Sequence, residues 1–99
     1  MYYTLHKVRW SDKVSWSGKD AKRYSSPNEA RLGAIDLFMK DNSTESVDIY
    51  AYTKDRCDLC GVVFKRVGGY TFHTVKWSKT GAFSRGMERM ILRDGSLKR

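Results

Sequence analysis

Hydrophobic and polar residues alternate along several short stretches of the chain, which predicts a fold built mainly on a sheet. Residues 2–10 are rich in strand-favouring side chains, and Val14 and Trp16 indicate a short return strand. Residues 46–54 alternate in the same manner. One side of that predicted strand carries small apolar residues, and the other side carries Asp48, Tyr50, Tyr52 and Lys54.

A pair of adjacent glycines marks a predicted β-hairpin. Residues 61–67 and 70–77 have strand-like sequences and flank Gly68-Gly69, a two-residue loop of the kind that joins antiparallel strands. Pairing across this loop sets Lys65 opposite Phe72, so these two side chains share one face of the sheet. The other face has more large apolar groups, and we expect it to pack beneath the helices: Val62, Phe64, Val75 and Trp77.

Two segments have the features of helices. Ser26 is a suitable N-cap, Pro27 suits the first helical position, and Glu29 completes a capping box. This first helix is expected to end at residues 41–43. Residues 81–93 have an amphipathic pattern that predicts a second helix, although a glycine lies inside it.

The predicted elements follow the order β(β)–α–β–β–β–α. Because successive strands have short connections, we expect an α+β single domain over residues 1–99. Its sheet would have three to five mostly antiparallel strands, with both helices on one face. The last five elements have an order similar to that of double-stranded-RNA-binding domains. Those domains usually carry a lysine cluster at the start of the last helix, where this chain has Lys79 alone.

The composition is that of a small folded domain with an uneven positive charge. The chain has 99 residues, 40% of them hydrophobic, and a formal net charge of +8. Such a chain is long enough to form one hydrophobic core without disulfides or a metal. Residues 57–99 hold nine basic and three acidic side chains, whereas residues 26–56 hold four and six. This segregation favours a basic surface patch over a general solubilising charge.

Targeting and redox features give a default compartment. The first ten residues contain no apolar stretch typical of a secretory signal, and no apolar run approaches the length of about 20 residues that spans a membrane. The two cysteines form one Cys-x-x-Cys, which is no framework for a secreted disulfide protein. We therefore expect a cytoplasmic protein without a membrane partner.

A basic stretch with interleaved aromatic residues provides the first functional hypothesis. Residues 59–87 contain no acidic side chain, while lysines, arginines and aromatic rings alternate through them. Lysines contact phosphates and exposed aromatics stack on bases, so DNA or RNA is the expected partner. The predicted sheet surface for this partner consists of Tyr50, Tyr52, Lys54, Lys65, Tyr70, Phe72 and Lys76.

The second predicted helix supplies another candidate patch for a nucleic acid. Arg85, Arg89 and Arg93 recur every four residues and would form one stripe about 12 Å long on a helix, with Lys79 just before it. A stripe of this length can meet successive phosphates. A solvated helix face with no ligand is the alternative reading of the same pattern.

The cysteines and histidines allow weaker hypotheses. Cys57 and Cys60 have the spacing of half a zinc site, but the chain contains no second half, so neither a metal nor a cofactor is predicted. Only four thiolates from a dimer, or an approach by His6, would complete such a site. His73 is the residue to test if the protein is a small ribonuclease.

The sequence therefore favours a small, largely sequence-tolerant nucleic-acid-binding protein over an enzyme. The first alternative is a protein-interaction module, such as an inhibitor or accessory factor that binds an acidic partner surface. The second alternative is a small ribonuclease. DNA versus RNA and the oligomeric state stay open at this point.

Overall fold

The fold consists of one helix and an antiparallel sheet. A computed structural model describes residues 1–8, 22–77, 80–81 and 83–99. The expected return strand at Val14 and Trp16, and also Lys79, lie outside these residues. The described elements are β1 (Tyr2–Val8), α1 (Pro27–Lys40), β2 (Ser46–Tyr52), β3 (Cys57–Arg66), β4 (Gly69–Trp77), β5 (Phe83–Arg85) and β6 (Arg89–Met90).

The sheet has the strand order β1-β2-β3-β4-β5, and β6 also pairs with β4. Every strand pair is antiparallel. The strands β5 and β6 therefore follow one another along the outer side of β4. The α+β class and the antiparallel sheet are confirmed, with a single helix in the described residues. No helix in that part of the chain is long and apolar enough to cross a membrane.

The start of α1 agrees with the local signals in the sequence. The Ser26 hydroxyl accepts a hydrogen bond from the Glu29 backbone N–H at 3.2 Å, and Pro27 opens the helix. The Glu29 carboxylate accepts bonds from the backbone N–H and the hydroxyl of Ser25, at 3.2 and 2.7 Å. The helix ends at Lys40, and Asp41 is its C-cap. The Ser26 bond satisfies a backbone N–H that a helix start leaves without a partner, whereas the Glu29 carboxylate binds Ser25, one residue before the N-cap of the predicted capping box.

The hydrophobic core lies between α1 and one face of the sheet. We call this the helix face, and the opposite side the far face. The buried members of the core are Leu5, Ala30, Ala34, Phe38, Val47, Ile49, Val63, Phe72 and Ile91. Four of them, Phe38, Ile49, Val47 and Val63, are the largest side chains that are almost completely buried. Burial of such apolar groups is the main source of stability in a domain of this size.

The hairpin between β3 and β4 has a register two residues away from the predicted one. Lys65 pairs with Tyr70 rather than with Phe72, and Arg66 pairs with Gly69. The loop therefore consists of Val67 and Gly68, and Gly68 has a φ of 89°, which favours glycine. A shift of two residues leaves every side chain on its original face. The prediction of which residues share a face in this hairpin thus survives the change of register.

The predicted helix over residues 81–93 is wrong. This segment forms β5 and β6 instead, joined by an irregular stretch. The Gly86 N–H donates to the Thr74 carbonyl at 2.8 Å, and the Ile91 N–H donates to the Tyr70 carbonyl at 2.9 Å. The outer side of β4 needs hydrogen-bond partners, and glycine is a poor helix residue, so pairing with the sheet prevails over the amphipathic pattern. The order seen in double-stranded-RNA-binding domains is therefore not completed.

The C-terminal segment returns to the core beside α1. Ile91 and Leu97 form an antiparallel bridge, and Leu97 packs against the core. The buried Arg31 side chain donates from Nε to the Gly95 carbonyl at 2.6 Å and from Nη2 to the Asn28 side chain. Its guanidinium also lies 5.1 Å from the centre of the Phe72 ring. The Arg31 side chain thus contacts the helix, the sheet and the C-terminal turn at the same time.

Candidate nucleic-acid interface

The predicted aromatic surface is divided between the two faces of the sheet. Val47 pairs with Val63 and Ile49 with Gly61, so this side of β2 belongs to the helix face. Tyr50 and Tyr52 consequently lie on the far face, opposite Thr4 and Tyr2 of β1, whereas Lys65, Tyr70, Phe72 and Lys76 lie on the helix face. The prediction that all seven residues share one outer surface is wrong. The hairpin alone does not reveal which of its faces the neighbouring strand shares.

Two of the predicted stacking residues belong to the core. Phe72 is only 4% exposed. The Tyr70 ring packs against the Phe38 ring of α1, with 5.4 Å between the ring centres. Phe72 is thus a buried core residue, and Tyr70 is a partly buried residue that packs against the core, so the two do not form the exposed stacking surface expected from the sequence. Lys65 and Lys76 are exposed beside them and keep their charges in solvent.

The other two aromatic residues of the predicted surface, Tyr50 and Tyr52, lie beside β1, the strand at the edge of the sheet. The rings of Tyr2 and Tyr52 are stacked, 4.9 Å apart and 2° from parallel. The Arg23 guanidinium lies 4.3 Å from the centre of the Tyr2 ring, and the rings of His6 and Tyr50 are 4.5 Å apart. These side chains already engage one another. Lys54 is exposed in the turn after β2.

The far face is no open platform either, since several of its side chains are buried: Thr4, His6, Thr71, His73 and Val75. His73 is 4% exposed, its Nδ1 lies 3.3 Å from the Thr74 carbonyl, and its ring stacks on Phe64 at 5.5 Å. A buried imidazole is poorly placed to meet an RNA substrate.

The two cysteines point to opposite sides of the sheet. Cys57 pairs with Tyr52 on the far face and is exposed. A bulge in β3 sets Ile49 opposite Gly61 and Tyr50 opposite Leu59, so Cys60 is the extra residue and packs against the core. Burial raises the pKa of the Cys60 thiol to about 11, which keeps it protonated at neutral pH. Within the described residues, no group of three potential metal ligands comes together.

The predicted arginine stripe is replaced by a cluster of cations at the outer edge of the sheet. Arg85 pairs with Val75 and so lies on the far-face side, while Arg89 pairs with Phe72 on the helix-face side. Arg93 lies in the turn after β6. We call the exposed lysine and arginines of this region the basic edge: Lys76, Arg85, Arg89 and Arg93. The three arginines follow one another along this edge and the next turn, and they do not form the single stripe expected of a helix.

The Glu88 carboxylate, which lies next to Arg89 in the sequence, is paired with the Arg66 guanidinium. Glu88 is the only acidic residue between Leu59 and Arg93. Its Oε1 accepts hydrogen bonds from the Arg66 guanidinium, at 2.7 Å from Nη2 and 3.1 Å from Nε. These bonds hold the pKa of Glu88 below its ordinary value, so the carboxylate stays ionised and bound to Arg66. Glu88 is therefore occupied by Arg66, and the other carboxylate of this region is Asp94, which follows Arg93 in the turn after β6.

A cleft of about 330 Å³ opens beside the basic edge on the helix-face side. It is lined by Phe72, Thr74, Gly86, Met87, Arg89 and Leu97. Met87 is 77% exposed, and Thr74 and Arg89 are exposed as well. Sequence reasoning missed this cleft because it assigned residues 81–93 to a helix. Gly86, a residue that disfavours a helix, was the one sign in the sequence that this segment is not helical.

Comparison with known proteins adds no relatives to this picture. No protein-family model, no curated protein and no solved structure matches the chain.

One carboxylate of the far face gives a test of the described packing. Asp48 lies opposite His6, and burial raises the pKa of Asp48 above its ordinary value. A raised acid pKa means that the folded state holds the proton more tightly than the unfolded state does. The stability associated with this group is therefore complete at low pH and is lost as the pH rises through the folded pKa.

We expect Asp48→Asn to be more stable than the wild-type protein at pH 7, because it removes a partly buried charge. The advantage should shrink as the pH falls and the wild-type carboxyl is protonated. Urea unfolding at several pH values measures this difference. Asp55→Asn changes the same charge in an exposed turn and serves as the control. If Asp48→Asn is less stable than this control at pH 7, the carboxylate makes a contact that outweighs its burial.

Proposed function

We propose that the protein binds nucleic acid with little sequence preference, through the basic edge. The observation that supports this proposal is the row of exposed cations at the outer edge of the sheet, Lys76, Arg85 and Arg89, where the neighbouring carboxylate, Glu88, is already bound by Arg66. A polyanion is the ligand class that such a charge distribution attracts. The proposed ligand is the one expected from the sequence, but the proposed binding surface is the basic edge and not the sheet face.

The geometry of the edge suits a linear polyanion. The pairing partners of Arg85 and Arg89, Val75 and Phe72, are three residues apart in β4, which corresponds to about 10 Å along the strand. The two arginines lie on opposite sides of the edge, so a phosphate backbone that follows it meets one guanidinium on each side. Guanidinium groups form charge-assisted, often bidentate bonds to phosphate. Such contacts position a backbone and carry no sequence information.

Neutralising the two arginines of the edge tests the proposal. We expect Arg85→Gln/Arg89→Gln to bind a single-stranded oligonucleotide about tenfold more weakly at low salt, a loss of about 1.4 kcal/mol. The slope of log affinity against log salt should decrease by about 1.4, since each lost phosphate contact removes about 0.7 for single strands. Fluorescence anisotropy over a salt series measures both quantities.

The matched control is Lys40→Gln/Lys54→Gln, which removes the same charge from exposed sites outside the basic edge. We expect this control to weaken binding much less. An equal loss in both variants would show that only net charge matters and would overturn the basic edge as the site. Wild-type protein that ignores both DNA and RNA at about 50 mM salt would overturn nucleic-acid binding itself.

A further inference from the structure

We infer that the cleft beside the basic edge accepts one unpaired nucleobase, so that the preferred ligand is a single strand. This inference rests on the proposed function and specifies its ligand. The cleft volume, about 330 Å³, lies at the lower end of the range for small-molecule sites. A space of this size suits one flat ring system.

The lining of the cleft suits the chemistry of a base. Met87 and Leu97 provide apolar contacts, and the polarisable thioether of a methionine interacts well with aromatic rings. The planar guanidinium of Arg89 can stack on a base. The exposed Thr74 hydroxyl both donates and accepts hydrogen bonds, which matches the mixed edge of an unpaired base. A simple phosphate would use Arg89 and the Thr74 hydroxyl but not the apolar contacts of Met87 and Leu97.

The cleft is continuous with the cations that would hold the sugar-phosphate backbone. Arg89 both lines the cleft and belongs to the basic edge. Lys76 lies two residues beyond Thr74 on the same side of β4, about 7 Å along the strand. A base in the cleft therefore places its flanking phosphates near Arg89 on one side and Lys76 on the other. In a duplex the same base is paired and stacked, and extruding it costs a few kcal/mol.

Gly86 keeps this cleft open for a steric reason. A Cβ atom at Gly86 would lie 2.3 Å from the Thr74 hydroxyl oxygen. The backbone of Gly86 is outside the left-handed region, which contains Gly68, Gly69, Gly81 and Gly95. Glycine is therefore needed here for the close approach of the edge strand to Thr74 and not for an unusual φ. The missing side chain leaves the Thr74 hydroxyl free of a neighbouring methyl group at the cleft.

The test compares three ligands of equal length by fluorescence anisotropy: a mixed-sequence single strand, the corresponding duplex, and a single strand built from abasic sugar-phosphate units. We expect the single strand to bind about tenfold more tightly than the abasic strand, because base contacts are worth about 1–3 kcal/mol each. The duplex should also bind more weakly than the single strand at the same salt concentration. Equal affinity for the single strand and the abasic strand would overturn the inference.

Variants of the cleft separate this inference from the proposed function. Met87→Ala should weaken binding of the normal single strand about threefold, as expected for one sulfur–ring contact, and leave binding of the abasic strand unchanged. Met39→Ala, another strongly exposed methionine on the far end of α1, is the matched control and should change neither. Gly86→Ala should act like Met87→Ala by narrowing the cleft, with its fold checked by circular dichroism.

The two levels of the proposal fail in different ways. If Met87→Ala and Met39→Ala bind all three ligands alike, while Arg85→Gln/Arg89→Gln still weakens binding, the cleft holds no base and the basic edge stands. If no ligand binds the wild-type protein, both the inference and the proposed function are wrong. A duplex preference would also overturn the inference and leave electrostatic binding in place.

Discussion

Phe38→Ala is expected to remove about 3–5 kcal/mol from the free energy of unfolding. Phe38 is 2% exposed and lies at the centre of the contact between α1 and the sheet. The substitution removes the ring that packs against Tyr70 and leaves a cavity that a close-packed core fills only in part. A domain of this length has a total stability of about 5–15 kcal/mol, so the loss is a large share of it. Urea unfolding should show a lower midpoint at an unchanged slope.

The next residue in the helix provides a control for this substitution. Met39 is 70% exposed, and we expect Met39→Ala to change stability by no more than about 0.5 kcal/mol. The two variants share the helix and the new residue, so the difference in their burial is the main cause of the difference in stability. Similar losses in both variants would mean that α1 does not pack on the sheet as described.

Gly95→Ala is expected to lower the free energy of unfolding by more than about 2 kcal/mol, for two separate reasons. The φ of Gly95 is 85°, in the left-handed region that a residue with a side chain enters at a cost of about 1–2 kcal/mol. In addition, a Cβ atom there would lie 2.2 Å from the backbone carbonyl oxygen of Asn28 at the start of α1. That oxygen belongs to the main chain of the helix and has little freedom to move.

Gly68→Ala separates the two contributions of this second prediction. Gly68 has nearly the same φ, 89°, but a Cβ atom there would meet no atom within 4 Å. We expect Gly68→Ala to lose only the conformational contribution, about 1–2 kcal/mol. Trypsin should cleave Gly95→Ala faster after Arg93 and Lys98, because the turn no longer fits beside Arg31 and α1. Equal losses in the two variants would contradict the docking of residues 91–97 against the helix.

The features that could be predicted from the sequence are those with local causes. The start of α1 depends on Ser26, Pro27 and Glu29, which lie within one turn of each other and contact the backbone at that same turn. The hairpin was predictable for a similar reason, since its strands are joined by two residues. Its register was not, because the loop uses Val67 and Gly68 where two adjacent glycines offered a second choice.

The features that could not be predicted depend on contacts between distant parts of the chain. Apolar residues in the segment 81–93 satisfy a helical pattern, and only the unpaired outer side of β4 turns this segment into strands. Which face of the sheet enters the core also depends on contacts between distant residues. The side chains of Val63 and Phe72 enter the core because β2 presents Val47 and Ile49 on that side. The positive charge of the C-terminal half was visible in the sequence, but its arrangement around a cleft was not.

The broken edge formed by β5 and β6 also bears on self-association. An outer strand that is long, flat and apolar invites pairing with the same strand of another molecule. Here the edge is interrupted at residues 86–88 and carries arginines, so a second copy brings like charges against an irregular backbone. At the opposite edge of the sheet, Tyr24 exchanges two backbone hydrogen bonds with Tyr3 of β1 and blocks part of that strand. The arginines proposed to hold a nucleic acid thus also disfavour pairing between the edge strands of two copies.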